Sequence, residues 1–284
     1  MSNITLAWPN YIDRLTVSSA DPYSSTLPLS NVLTPIYSQV ARVNGTSTQI
    51  KMVTARHLSM GAFAIVNHNL SAGAKVRVRV FYESNFTDQL HDSGWLAAWR
   101  ANYASPQLEW EDDTFCLRTP DAELIRNFNS LSTYFADQSY AGLSLIIDIE
   151  DSDNTAGYLE FGRLFVGQWW QPRLNPQYGN MPISYEDQSE RAEAGDGTDY
   201  FYKRKKRRTV SIGFENLNEV EAISELFGLQ LTQGIDGEIL YTQDKSVEQF
   251  YFQRTFIGRL QQLDPLSQAN YGLYSTQLNI REVI

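Results

Sequence analysis

The sequence predicts a mainly β protein, in which two packed antiparallel sheets fill residues 1–170 and a smaller β-rich domain with one α-helix follows in residues 171–284. Three observations support this prediction. Short runs of alternating or β-branched residues recur along the chain. Aromatic residues make up 13% of the 284 residues, which suits sheets and broad contact surfaces. One segment, near residues 217–227, has the clearest helical spacing and capping residues in the chain.

Strands dominate the first half. The clearest is KVRVRVFY, which begins at Lys75 and places Val76, Val78 and Val80 on one face. The preceding GAFAIVNHNLSAGA is an apolar run that ends in a polar turn, so residues 61–82 are predicted to form two strands joined by a short loop. AGLSLIIDIED and GYLEFGRLFVGQWW show the same enrichment in β-branched and aromatic residues. Between Asn85 and Ser139 the strand pattern is weaker, and the sequence predicts long irregular connections that hold at most one short helix.

A domain boundary is predicted near WWQPRLNPQYGNMP, where prolines interrupt the strand pattern. The helix of the second domain is expected over about 217–227. Asn216 can cap it, Glu219 completes a capping box, and Gly228 is expected to end it. The remaining segments, GEILYT, QFYFQRTFIGRL and YGLYSTQLNIREV, return to strand patterns.

Composition excludes several classes of protein. The chain has no run of about 18 apolar residues and no basic leader followed by an apolar segment, so a soluble, unprocessed protein without a membrane partner is expected. Its one cysteine, Cys116, cannot form an internal disulfide and is expected to be a small core residue.

Six consecutive basic residues stand out in a chain whose net charge is -10. They are Lys203, Arg204, Lys205, Lys206, Arg207 and Arg208. In an extended strand both faces of this run would be charged, so it is expected to project from the sheet as a solvated extension or to meet a partner. Removing these six charges leaves -16 on the rest of the chain, which disfavours binding of nucleic acid.

An acidic segment lies directly upstream of the basic run, and Arg191 is the single basic residue among its acids. The acids are Glu186, Asp187, Glu190, Glu193, Asp196 and Asp199. Two arrangements would explain both segments: a hairpin that folds the acidic arm on the basic arm, or a ring in which one subunit's acids meet the next subunit's basic strand. Glu190, Glu193, Asp196 and Asp199 are therefore predicted, with the six basic residues, to form a subunit interface.

No residue pattern predicts catalysis or a cofactor. The three histidines, His57, His68 and His91, show no metal-binding spacing, and His68 is expected to be a turn residue. The Trp169 and Trp170 pair is expected to pack in a core or interface rather than to stack on sugar.

One acidic loop offers weak candidates for calcium ligands. They are Asp148, Glu150, Asp151 and Asp153. The loop departs from the EF-hand order, since Ala156 replaces the sixth-position glycine and Gly162 the final glutamate counted from Asp151. A solvated loop is therefore favoured over a bound ion.

The order of segments resembles tail-tip and baseplate structural proteins of long-tailed bacteriophages. The resemblance rests on AIVNHNLSAGAKVRVRVFY, EFGRLFVGQWWQPRLNPQYG, the acidic loop, KRRTVSIGFENLNEVEAISELF and RTFIGRLQQLDP, over about residues 30–284. It implies a jelly-roll of the galactose-binding type in the first half and a ring-forming assembly domain in the second. The implied protein is a non-enzymatic component of a virion, assembled in the bacterial cytoplasm. Its homo-oligomeric ring would join the tail tube to the hub, tip or receptor-binding apparatus.

A second function is open from the sequence. The sandwich loops and exposed aromatic residues also suit a carbohydrate-binding module, which would bind a host glycan during adsorption to the host surface. The sequence leaves open ring size, position within the tail tip and glycan binding.

Overall fold

The structure is a computed structural model that describes residues 3–100, 128–176, 179–246 and 249–284, apart from the side chain of Ala269. It confirms the predicted mainly β fold with an antiparallel sandwich. Within these residues no helix is both long and apolar enough to span a bilayer.

Ten strands form in the described residues 3–100 and 128–170. They are β1 (Thr5–Trp8), β2 (Thr16–Ser18), β3 (Ala41–Asn44), β4 (Ser47–Val66), β5 (Lys75–Phe81), β6 (Gln89–Asp92), β7 (Leu96–Ala97), β8 (Leu131–Glu150), β9 (Tyr158–Phe161) and β10 (Leu164–Trp170). Two short 3-10 turns, Tyr11–Arg14 and Leu29–Leu33, lie between the first three strands.

Eight further strands follow in the part of residues 171–284 that the structure describes. They are β11 (Ile183–Glu186), β12 (Glu190–Glu193), β13 (Asp199–Tyr202), β14 (Arg207–Leu217), β15 (Ile239–Thr242), β16 (Thr255–Leu260), β17 (Ser267–Asn270) and β18 (Leu273–Glu282). A π-helical segment, Val220–Phe227, continues directly into α1 (Gly228–Gln233), and α2 is a single turn, Tyr251–Arg254.

The sandwich is built on β4 and β8, which are 20 residues long each and pair along their length. Their register shifts between Val53 and Leu58 and again between Met60 and Ala62. Such bulges bend a strand. The early half of β4 therefore lies with β2 and the late half of β8 with β5, while the later half of β4 pairs with β10.

The first core lies inside the sandwich and contains side chains of β4, β5 and β8. Val76, Val78 and Val80 of β5 are buried in it, which confirms the face predicted from the alternation of KVRVRV. Ile147 of β8 and Ile65 of β4 belong to the same cluster although they lie on different halves of the bent pair. Burial of these branched side chains is the main stabilisation of the sandwich.

The sheet continues beyond residue 170 through β1, which pairs with β10 on one side and β15 on the other. The strand order from there is β15-β16-β18-β14-β11. This part of the sheet curves around a second core, in which Leu226 and Leu229 of the helical segment pack with Ile212, Phe256 and other apolar side chains. The division into domains after residue 170 stays a prediction.

The helix begins and ends later than predicted. Asn216 and Leu217 belong to β14, so the helical turn starts after them. Asn218 Oδ1 accepts from Glu221 N at 2.8 Å, and the carboxylate of Glu221 faces Asn218 N, so the capping box lies two residues further along. Gly228 sits inside the helix, and Gly234, with φ +54°, ends it.

Candidate functional site

A cleft of about 820 Å³ lies between the segment that follows β1 and the helix over residues 220–233. The segment contributes Trp8, Asn10, Tyr11, Asp13 and Arg14 to one wall. The helix and the turn after it contribute Ser224, Glu225, Thr232, Gln233 and Asp236 to the other. Sequence reasoning did not identify this cleft, because its residues carry no common motif and come from distant parts of the chain.

Arg163 forms the centre of the cleft floor, where only 3% of its side chain is exposed. Its Nη1 and Nη2 donate to the two carboxylate oxygens of Asp13 at 2.9 and 2.8 Å. Its Nε donates to Glu238 Oε2 at 3.1 Å. Burial opposes the charge of Arg163, but the hydrogen bonds and charges of Asp13 and Glu238 outweigh it and raise the pKa of the guanidinium.

Glu238 extends this network across the floor. Its carboxylate also accepts from Asn10 Nδ2 at 2.6 Å and from the Tyr37 hydroxyl at 3.2 Å. Burial, followed by the charge of Glu238, holds the pKa of Tyr37 well above its usual value. The floor is therefore a satisfied network of fixed polar groups, whose positions do not depend on a ligand.

The walls combine aromatic rings with polar side chains. Trp8 packs edge-on against Trp170, with ring centroids 6.0 Å apart, and this contact holds the indole in place. On the opposite wall, burial and then the nearby charge of Glu221 raise the pKa of Glu225. Gln168 of β10 adds an amide to the lining. Such a surface offers both donors and acceptors, while the rings of Trp8 and Tyr11 are largely buried behind it.

The predicted acidic and basic segments form a separate structure, the arm, defined here as residues 187–206. Strands β12 and β13 pair as a hairpin, with Glu190 opposite Tyr202 and Glu193 opposite Asp199. Arg204 Nη2 donates to Glu190 Oε1 at 2.5 Å. The basic segment thus contacts the acidic segment within the arm, as in the hairpin arrangement considered from the sequence.

Other acids of the arm are engaged locally. Arg191 Nε donates to Asp199 Oδ1 at 2.7 Å, and Arg191 lies 4.0 Å from Glu193. Asp196 Oδ1 accepts from Thr198 N at 2.9 Å. The basic residues Lys203, Arg204, Lys205 and Lys206 are exposed. Their predicted role in a subunit interface stays a prediction.

Arg208 corrects the expectation that the whole basic run would project from the sheet. Its side chain is 1% exposed, and its Nε donates to Glu282 Oε2 at 2.9 Å. Its guanidinium carbon lies 4.7 to 5.3 Å from the ring centroids of Phe128, Phe252 and Phe256. The buried carboxylate of Glu282 and three aromatic faces therefore stabilise the charge of Arg208 in the core. The alternation of residues along a strand does not reveal such distant partners.

The weak calcium candidates do not converge in the structure. Asp148 accepts from Arg79 Nη2 and Gln49 Nε2, both at 2.7 Å. Asp151 is buried and accepts from Ser71 N at 2.7 Å. Glu150 and Asp153 are exposed, and no three suitable side chains among the described residues could hold a metal ion together. The carboxylates are used to fix the strands and the loop instead.

One histidine and the tryptophan pair of the sequence analysis form hydrogen bonds or ring contacts within the fold. His68 lies in the loop after β4, and its Nδ1 accepts from Leu70 N at 3.3 Å. The Trp169 ring lies under the Lys245 ammonium at 3.5 Å, and Trp170 packs against Trp8 and Phe214. Cys116 lies outside the described residues.

Comparison with known proteins finds similar solved structures only at low identity. No protein-family model and no curated protein matches the sequence. The family 32 carbohydrate-binding module of NanJ from Clostridium perfringens, solved with galactose, is 12% identical, with 59% of this chain and 100% of that chain covered and a TM-score of 0.37.

Two further structures are similar to the same degree. The fucose-binding module SpX-3 of Streptococcus pneumoniae is 6% identical, with 56% and 97% of the two chains covered and a TM-score of 0.36. An F5/8 type C domain from Bacteroides fragilis is 11% identical, with 60% and 99% covered and a TM-score of 0.34.

These comparisons correct the expected kinship with phage tail proteins. These three structures are carbohydrate-binding modules and an F5/8 type C domain of bacterial proteins, and none of them is a tail or baseplate protein. The resemblance rested on the order of strand-like and charged segments, in which no single motif is diagnostic of tail proteins.

Proposed function

We propose that the protein binds carbohydrate, the alternative that the sequence left open, and that the cleft beside Arg163 is the binding site. One observation supports this most directly. The cleft is lined by carboxylate, amide and hydroxyl groups and by the small exposed parts of the largely buried Trp8 and Tyr11, above a floor whose charges are already paired.

The chemistry of a sugar matches this lining. Each hydroxyl group of a saccharide is both a donor and an acceptor, and its C–H faces are apolar. Carboxylates such as Glu225 and Asp236 accept hydrogen bonds, whereas the amide of Gln168 can both donate and accept. A hydrogen bond to a charged group contributes about 1.5–3 kcal/mol, which can replace the bonds that a hydroxyl loses to water.

The shape of the cleft fits a small ligand. Its volume of about 820 Å³ falls within the range of roughly 300–1,000 Å³ that is usual for small-molecule sites. Because Asp13 and Glu238 hold Arg163 in place, a neutral ligand would bind without separating buried charges. This preorganisation lowers the cost of binding.

The proposal is tested by a glycan array, followed by calorimetric titration with a retained sugar. Glu225→Gln and Asp236→Asn are expected to weaken binding at least tenfold each, because both side chains line the cleft and lose acceptor charge. Glu219→Gln changes an exposed residue just before the helix that does not line the cleft, and it should bind normally. If no glycan is retained, or if all three variants bind as the wild type does, the proposal is wrong.

A further inference from the structure

Three arginines meet on one face of the sheet, and two of them, Arg207 and Arg281, do not line the proposed carbohydrate cleft. Arg259 of β16 lies directly opposite Arg281 of β18 in the antiparallel register. On the other side of β18, Arg281 pairs with Thr209 of β14, so Arg207, two residues earlier, shares its face. The same three arginines line a cavity of about 420 Å³ together with Gln261 and Ile235.

This arrangement is unusual because like charges placed opposite each other destabilise a strand pair. Glu186 offsets part of the charge, since Arg281 Nη2 donates to Glu186 Oε1 at 2.9 Å. Glu282, which also lines the cavity, is already engaged by the buried Arg208. Arg207 and Arg259 form no ion pair with any of the described residues.

Arg259 carries the strongest indication. Its Nε is buried and has no hydrogen-bond partner within the described part of the chain. A buried donor without a partner costs roughly 1–3 kcal/mol, and native structures rarely retain one. The nearest network of carboxylates, on the floor of the cleft, is occupied by Arg163.

We infer that Arg207, Arg259 and Arg281 form a binding site for an oxyanion, namely a carboxylate, sulfate or phosphate group. The planar forks of guanidinium groups match the oxygen pairs of such anions. An anion held by the three guanidinium groups on this face would give Arg259 Nε an acceptor and offset the repulsion across the β16–β18 pair. The site is distinct from the proposed carbohydrate site, although Arg259 also reaches the cleft wall.

The test uses inorganic sulfate as the probe, with chloride at matched ionic strength as the reference. Sulfate is expected to raise the melting temperature of the wild type in a saturable way. Arg207→Gln and Arg259→Gln should weaken sulfate binding at least tenfold, whereas Arg56→Gln, at an exposed arginine of β4, should not. Without sulfate, Arg259→Gln should be no less stable than the wild type, because it removes a like charge and a buried donor.

The possible sources of the anion are separated by competition. Displacement of sulfate by glucuronate would assign the site to a sugar acid, and displacement by phosphate but not by glucuronate would assign it to phosphate. Glu225→Gln should leave sulfate binding unchanged, which separates this site from the proposed carbohydrate site. Equal melting temperatures in sulfate and chloride, or equal sulfate affinity in the wild type and Arg259→Gln, would overturn the inference.

Discussion

At the scale of single residues, Arg208 shows how one buried contact changes the role of a residue type. Five residues of its basic run are at least partly exposed, but Arg208 is enclosed by Glu282 and three phenylalanine rings. The two charges depend on each other, because either one alone would be buried without a counter-ion. Arg208 is thus part of the core, while Arg204 remains part of the arm.

Replacing Arg208 by Ala is expected to lower the free energy of unfolding by about 3–5 kcal/mol, because Glu282 is left buried and unpaired. Urea denaturation measures this loss. Arg204→Ala, which removes an exposed ion pair with Glu190, should cost about 0–1 kcal/mol. The double variant Arg208→Met/Glu282→Leu should recover most of the stability. If it is as unstable as Arg208→Ala, the ion pair does not explain the effect.

His68 predicts how stability changes in acid. Burial lowers the pKa of His68 from 6.5 to about 3, so the folded protein keeps the imidazole neutral while the unfolded chain takes up a proton below pH 6.5. Stability from this source is complete above pH 6.5 and is lost as pH falls below it. At pH 5 the loss is about 2 kcal/mol.

Comparison of urea unfolding at pH 7.5 and pH 5 tests this expectation. His68→Asn should lose about 2 kcal/mol less between the two pH values than the wild type does. His57→Asn, at an exposed histidine, is the matched control. Identical pH dependence in the wild type and His68→Asn would contradict the assigned cause.

At the scale of elements, the arm is the clearest example of a segment without a core of its own. Tyr200, Phe201 and Tyr202 are 63%, 58% and 67% exposed, although successive residues of a strand point to opposite faces. Both faces of the hairpin are therefore open in the isolated chain. A two-stranded hairpin of this kind is only marginally stable by itself.

Deleting residues 190–202, so that Ser189 joins Lys203, is expected to leave the melting temperature nearly unchanged. Ser189 Oγ already accepts from Arg204 N at 3.0 Å, so the two ends lie close together. Ile212→Ala, which removes a fully buried side chain of β14, should instead cost about 2–5 kcal/mol. A deletion as damaging as Ile212→Ala would show that the arm supports the core.

Light scattering on the same proteins tests the predicted subunit interface. If the arm forms one, the wild type should have a larger mass than the deletion variant at the same concentration, and added salt should reduce the difference. Equal masses at every salt concentration would contradict the predicted interface.

The helix shows how far local sequence rules reach at this scale. The sequence predicted a capping box that starts at Asn216, whereas the structure uses one that starts at Asn218. Pairing of Leu217 with Tyr274 extends β14 past Asn216, so Asn218 caps the helix instead. The existence of the helix was predictable, but its first residue depended on a strand contact.

At the scale of the whole molecule, β1 joins the two parts of the sheet. Leu6 and Trp8 pack in the second core, whereas Ala7, on the opposite face, packs with Phe165 of β10 and Leu240 of β15. The four residues of β1 thus contribute side chains to both faces of the sheet. Loss of β1 would expose the edges of β10 and β15 together.

Leu6→Ala is expected to lower stability by about 2–5 kcal/mol and to shift a single calorimetric transition, because both parts of the sheet depend on β1. Val220→Ala, at a position 67% exposed on the helix, should leave that transition in place. Two resolved transitions, of which only one moves in Leu6→Ala, would contradict the coupling of the two parts of the sheet.

The sequence by itself determined the mainly β class, the inward face of β5 and the presence of one helix, because each depends on periodicity or capping within a few neighbouring residues. Only the tertiary structure decided the cleft and the arginine cavity. Asn10 and Glu238, bonded on the cleft floor, are 228 residues apart, and Arg259 faces Arg281 only through the register of β16 and β18. Register is set by the packing of whole strands against a core, so no local pattern reveals which distant side chains it brings together.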